Sequence, residues 1–177
     1  MVNQGPSIIA GVDYSTKAVH AAIVGDKQLR FVKQYDVGAV SHLTIQAMMK
    51  DLLARCVERL YLEQPFFVPA RIDKTTQKLK QGSNVNTLKL HRIANQVETL
   101  AALVGLPVTF VAPATWQSAI LTGVPGATTK SRSLWFVRRV WNMQVTDNNK
   151  ADAICIATYG EAVERLHGII PPPLEVV

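Results

Sequence analysis

The stretch Ile8-Ile9-Ala10-Gly11-Val12-Asp13-Tyr14-Ser15-Thr16-Lys17 is apolar and β-leaning as far as Asp13, then turns polar. It reads as a buried strand that ends on a carboxylate. An ionised acid in that position is tolerated when it is paired, hydrogen-bonded or bound to a cation. Ordinary turn chemistry with Ser15 and Thr16 is the competing reading. Which of the two holds depends on what the rest of the chain brings to that strand end.

On either side of this stretch the pattern is that of an α/β protein. Val19-His20-Ala21-Ala22-Ile23-Val24 reads as a second strand, Gly25-Asp26-Lys27 as a turn, and Leu29 to Val37 as a third strand. Short connections between three strands imply an antiparallel meander. Ile45, Met48, Met49, Leu52, Leu53, Cys56 and Leu60 recur at helical spacing behind a possible N-cap at Ser41, and Leu60-Tyr61-Leu62-Glu63 forms a fourth strand, again ending on an acid. Pro65 to Ser83 reads as a long basic loop. A helix follows over Leu90 to Val104, stopped at Gly105-Leu106-Pro107, then a strand at Val108-Thr109-Phe110-Val111 and a short helix from Pro113. Thr128 or Thr129 caps the next helix, and the last runs from Asn149 to about His167, with Gly168 ending it. The expected fold is a central five-stranded mixed sheet, three antiparallel strands then parallel ones, flanked by helices.

With 177 residues, 48% of them hydrophobic and 18% charged, the chain is expected to be one globular domain over 1–177, its ordered core about 8–167 and its tail from about 169 frayed. Cys56 and Cys155 lie in apolar helical stretches and read as buried free thiols, as suits a reducing compartment. Neither a signal peptide nor a membrane-length apolar run is present, so a soluble intracellular protein is expected. The net charge is +6 and unevenly spread: residues 71–92 carry +5 and residues 128–142 carry +4, leaving −3 elsewhere. Two basic islands on an otherwise acidic chain have the form of a polyanion footprint, although a solvated charged face gives the same pattern. Trp135 and Trp141, in the second island, read as packing residues rather than stacking platforms.

Three carboxylates are flanked by apolar sequence: Asp13, Glu63 and Asp152. If the first and fourth strands are parallel neighbours, Asp13 and Glu63 meet at the carboxyl edge of the sheet, where open α/β sheets place their sites. A last helix docking its first turn there adds Asp152. Oxygen-only ligands that repel one another call for hard cations, magnesium or manganese rather than zinc. Two such ions about 4 Å apart can drive in-line displacement at a phosphodiester. Taken singly, Asp152 can instead complete a capping box with Asn149, and Glu63 can pair with a lysine of the following loop.

The residues resemble the RuvC-type Holliday-junction resolvases of the ribonuclease-H-like superfamily. Ile9-Ala10-Gly11-Val12-Asp13-Tyr14-Ser15-Thr16 is similar to that family's I-L-G-I-D-P-G-S, and Leu62-Glu63-Gln64-Pro65-Phe66 to its I-E-Q-V-F. Leu121-Thr122-Gly123 with Thr129-Lys130 resembles V-G-x-G-x-x-x-K, and Lys150-Ala151-Asp152-Ala153-Ile154-Cys155-Ile156-Ala157 resembles A-A-D-A-L-A-I-A. The resemblance spans about residues 8–167. It implies a metal-dependent endonuclease, acting as a homodimer, that makes paired nicks in a four-way DNA junction with two Mg²⁺ or Mn²⁺ ions per site. Asp13, Glu63 and Asp152 would be ligands, Lys130 would stand near the scissile phosphate, and Phe66 would stack on an unpaired base. Arg71, Lys74, Lys78, Lys80, Arg132, Arg138 and Arg139 would join Lys130 as DNA contacts. A bacterial, organellar or viral recombination setting goes with it.

The chain departs from the family pattern at Tyr14 and Ser15, where the family has Pro and Gly. It also has Asn149 where a fourth acidic ligand usually stands, three residues before the last aspartate; the Asn149 amide oxygen can ligate but carries no charge, and Asp147 lies nearby. Weaker binding of the second ion, or a preference for manganese, is the implied consequence. The alternatives are a branched-DNA-binding member of the fold that has lost cleavage, and an actin-like or sugar-kinase-like ATPase. The ATPase needs a glycine where Ser15 stands and two lobes that 177 residues do not hold.

Overall fold

A computed structural model describes residues 7–38, 41–65, 71–72, 79–80 and 84–169. The elements in order are β1 (Ile9–Tyr14), β2 (Ala18–Gly25), β3 (Gln28–Asp36), α1 (Ser41–Leu53), β4 (Arg59–Glu63), β5 (Arg71–Ile72), β6 (Leu79–Lys80), α2 (Asn84–Leu103), β7 (Val108–Val111), α3 (Pro113–Leu121), α4 (Thr129–Trp141) and α5 (Asn148–Ile169). The main sheet has the order β3-β2-β1-β4-β7. β1, β2 and β3 pair antiparallel, and β1–β4 and β4–β7 pair parallel. This is the mixed sheet that the sequence pattern implies. Asp26 and Lys27 both have positive φ in the two-residue turn between β2 and β3, the geometry whose twist suits a tight hairpin.

Alternation along the strands sends side chains to two separate cores. Ala10, Val12, Ala21, Ile23, Leu60 and Leu62 join Ile45, Met48, Leu52, Ile93 and Val97 on one face, under α1 and α2. Ile9, Ala22, Val24 and Tyr61 join Trp116, Val137, Ile154 and Ala157 on the other, under α3, α4 and α5. The period of two therefore places Asp13, His20 and Glu63 on the α5 face as well.

α5 lies unusually close to β1. A Cβ on Gly11 would stand 2.2 Å from the backbone nitrogen of Ala157 and 2.4 Å from the carbonyl oxygen of Ala153, and one on Gly160 would stand 2.5 Å from the Tyr61 ring. The small residues of the last helix and Gly11 of the first strand thus fix the separation at which the start of α5 meets the sheet edge.

Three expectations need correction. First, α1 stops at Leu53, and Cys56 is an exposed residue with φ 56° in the turn after it. The amide of Val57 bonds back to Leu52 and that of Cys56 to Leu53, a Schellman stop in which a cysteine takes the place usual for glycine; Cys155 is buried, as expected. Second, part of the stretch read as a loop forms the two-stranded ribbon β5–β6, with Arg71 opposite Lys80. Third, the last helix continues through Gly168 to Ile169. Among the described residues no helix is long and apolar enough to cross a membrane.

Candidate active site

Asp13 is the fifth residue of β1 and Glu63 the last of β4, and the parallel register between these strands brings both to the same end of the sheet. Asp152 comes from the first turns of α5, seated over Gly11. The three carboxylates feel one another. Asp13 is 7% exposed; burial, then the charges of Glu63 and Asp152, hold its carboxyl well above the usual range, partly offset by the Tyr14 amide. Burial also pushes Glu63 up to about 7, with Asp152 adding to the rise and an indole hydrogen bond opposing it. Burial raises Asp152, against the Ser133 hydroxyl and the Lys130 ammonium, which lower it. An isolated acidic cluster of this kind is short of positive charge.

The neighbours that hold these acids are largely invisible in the sequence. The indole Nε1 of Trp116, fully buried in α3, donates to Glu63 Oε2 at 2.8 Å; the loop lysines Lys74 and Lys78, the alternative partners, lie outside the described residues. The Tyr14 hydroxyl donates to the Glu63 carbonyl oxygen at 2.8 Å, tying the ends of β1 and β4 together. Asp147, not an Asn149–Asp152 box, caps α5: its Oδ1 accepts from the Asn149 amide at 2.9 Å and its carbonyl from the Ala151 amide at 3.1 Å. In the sequence Tyr14 stands out only as a departure from a motif, and Trp116 lies without distinction in the short helix that starts at Pro113. Neither carries a local signal for its long-range partner.

The donor set suits a hard divalent cation. It is all oxygen, it is over-rich in negative charge, and Oδ1 of Asp152 is buried without a hydrogen-bond partner. Among the described residues no group of three His, Cys, Asp or Glu side chains is placed to hold a metal ion as it stands.

The second basic island sits beside the site. Thr128 caps α4 in a reciprocal capping box with Ser131, and Lys130 in its first turn is exposed and close enough to Asp152 to lower its pKa. Arg132, Arg138 and Arg139 are exposed along the same helix. The two tryptophans divide: Trp141 packs on the α5 core and donates to Thr158 at 3.2 Å, whereas Trp135 is 41% exposed among the arginines, contrary to the packing expectation. For the first island, the backbone of Arg71 and Lys80 pairs in the ribbon; Phe66, Lys74 and Lys78 lie outside the described residues.

Sheet order and flanking helices together define a ribonuclease-H-like fold. No protein-family model matches the chain, and no curated protein matches it in sequence. In structure it is similar to Thermus thermophilus RuvC in complex with a Holliday junction substrate, with a TM-score of 0.71 at 19% identity over 91% of this chain and 96% of that one. It is also similar to the yeast mitochondrial Holliday junction resolvase, at 0.57 and 11% identity over 89% and 78%. The fowlpox virus resolvase, in complex with Holliday junction DNA, gives 0.51 and 14% over 93% and 99%. Within the ribonuclease-H-like class, the fold is that of the RuvC-type resolvases.

Proposed function

We propose that this chain is a metal-dependent endodeoxyribonuclease that resolves four-way DNA junctions by paired symmetric nicks. The observation that carries the proposal is the meeting of Asp13, Glu63 and Asp152 at the carboxyl edge of the β1–β4 pair, next to a basic helix, on this fold. Asp13, Glu63 and Asp152 would hold two Mg²⁺ or Mn²⁺ ions, with the Asn149 amide oxygen as a neutral donor. When bound, the pair supplies Lewis-acid activation of both ends of a phosphodiester displacement.

The chain's own groups do the positioning. Trp116 and Tyr14 fix Glu63 from its side chain and its backbone, so its carboxylate is aimed before substrate arrives. Lys130 places its ammonium beside Asp152, where a phosphate oxygen approaching the acids is countered. Arg132, Arg138 and Arg139, with Arg71, Lys74, Lys78 and Lys80 from the other island, contact the backbones of the arms without reading sequence. Phe66 stacks on a base unpaired at the crossover. A homodimer presents two such sites to a substrate with twofold symmetry.

The test is incubation with a synthetic four-way junction and Mg²⁺ or Mn²⁺. Paired nicks are expected from the wild type, and Asp13→Asn is expected to bind the junction without cutting it. Cleavage by Asp13→Asn at the wild-type rate would refute the site. The second reading, a junction-binding protein that does not cut, rests on the neutral Asn149; binding without cleavage in either metal would establish it.

A further inference from the structure

Trp135 is the exposed tryptophan of the chain. It is 41% exposed, whereas Trp116 is fully buried and Trp141 packs on the α5 core with its indole N–H on Thr158. Arg132, Arg138 and Arg139 stand three residues before it and three and four after it, the spacings that share a helix face. All three are exposed, and residues 128–142 hold no acid. Among the described residues the arginines in ion pairs are Arg30, Arg55, Arg59 and Arg165, so the charges around Trp135 are uncompensated. Cations lie over two other rings, Arg55 over Phe31 at 4.0 Å and Lys33 over Tyr35 at 4.8 Å, but among the described residues none lies over Trp135. A single exposed leucine needs no explanation. An uncapped indole among three such arginines does, and guanidinium for phosphate with an aromatic face for a base is the pairing that a nucleic-acid strand requires. A second copy of the chain does not fit this face, because a twofold contact would set the arginines against themselves.

We infer that the Trp135 indole is a stacking platform for an unpaired DNA base, with Arg132, Arg138 and Arg139 holding the phosphates on either side. This rests on the reading of α4 as a DNA contact and is independent of metal and of cleavage. Arg132 and Arg139 lie about 10 Å apart along the helix axis, roughly three nucleotide steps of a stacked strand. The base must be unpaired. In a duplex each base is covered above and below by its neighbours and offers only its edges in the grooves, so an indole on a helix face meets no π surface there. Stacking reads no sequence. The platform therefore selects structure, an unpaired nucleotide over linear duplex, from the second basic island and separately from Phe66.

Titrations of the full chain in chelator with oligothymidine, a four-way junction and a linear duplex test this, followed by indole fluorescence and by the anisotropy of a labelled strand. Oligothymidine is expected to quench the wild type, and duplex to bind with little quenching. Quenching by the junction as well places the base at the crossover; its absence there places the base on a single-stranded arm. Trp135→Phe is expected to lose the quenching yet hold oligothymidine within about threefold of wild type, since a ring remains, and Trp135→Ala to bind it about tenfold or more weakly. Both variants are expected to bind duplex within about twofold of wild type, because the phosphate contacts stay, and to keep the wild-type Tm, as exposed substitutions do. Quenching that persists in Trp135→Phe, or wild-type oligothymidine affinity in Trp135→Ala, would overturn the inference and leave α4 as a phosphate contact. So would equal losses on single strand and duplex, self-association that Trp135→Ala abolishes, or quenching by oligoglutamate as strong as that by oligothymidine, which would assign the face to an acidic protein. Absence of DNA binding by the wild type would overturn this inference and the reading of α4 together. A junction that is bound but not cut would overturn cleavage alone.

Discussion

Trp116 sets what Glu63 can do. Its indole N–H stabilises the charged form of a carboxylate that burial otherwise drives toward neutrality, and the 2.8 Å bond directs Oε2. Trp116→Phe keeps most of the apolar volume and removes the donor. Loss of a hydrogen bond to a charged group, worth about 1.5–3 kcal/mol, raises the Glu63 pKa by about one to two units. The acidic limb of the pH–cleavage profile is expected to move up accordingly, and a profile unchanged in Trp116→Phe would show that the indole only fills space. At this scale the sequence was uneven. Asp13, Glu63 and Asp152 were legible because an acid ending or entering an apolar run needs a reason. Trp116 was not, because a buried aromatic reads as core until its polar atom is seen to face something.

Among the elements, α5 and β1 are one unit, and Gly11 is what lets them be so. A methyl at Gly11 meets backbone atoms of Ala157 and Ala153 that no rotamer change can move. Gly11→Ala is therefore expected to destabilise by about 3 kcal/mol or more, lowering Tm by roughly 6–12 °C, and to depress cleavage even below the new Tm because Asp152 rides on the displaced helix. Gly38→Ala is the control: nothing lies within 4 Å of its added methyl. Equal thermal shifts in the two variants would show that the close approach of helix and strand is not what matters. Element identities were readable wherever period and punctuation agreed, as in β1, β2, α2 and α4. They failed where a local rule was overridden. Cys56 adopts the left-handed conformation at a helix end, at a cost of roughly 1–2 kcal/mol, with no glycine to announce it. The β5–β6 ribbon was missed because two-residue strands are too short to show alternation.

For the molecule as a whole, the fold gathers three like charges at one edge of the sheet. The parallel pairing of β1 and β4 was the long-range relation that sequence reasoning needed; it entered as a condition, and the register meets it, whereas the positions of α3 and of the α5 cap were not foreseen, because they depend on packing between distant segments. The balance of charge has a sign that can be measured. Glu63 rises from an ordinary 4.5 to about 7, and Asp13 and Asp152 rise too. Groups with raised carboxyl pKa values bind more protons folded than unfolded between about pH 4 and 7, so stability is full below that window and falls as pH climbs through it. For Glu63 the loss is on the order of 2–3 kcal/mol. In chelator, Tm is expected to drop between pH 5 and pH 8 by roughly 4–10 °C, and Glu63→Gln is expected to flatten that slope. Mn²⁺ in excess binds the ionised native site and should restore Tm at the alkaline end while doing little at the acidic end, where protons occupy the same oxygens. Stability that rises with pH in chelator, or Mn²⁺ that stabilises equally at both ends, would mean that these carboxylates are balanced within the protein and do not form an open cation site.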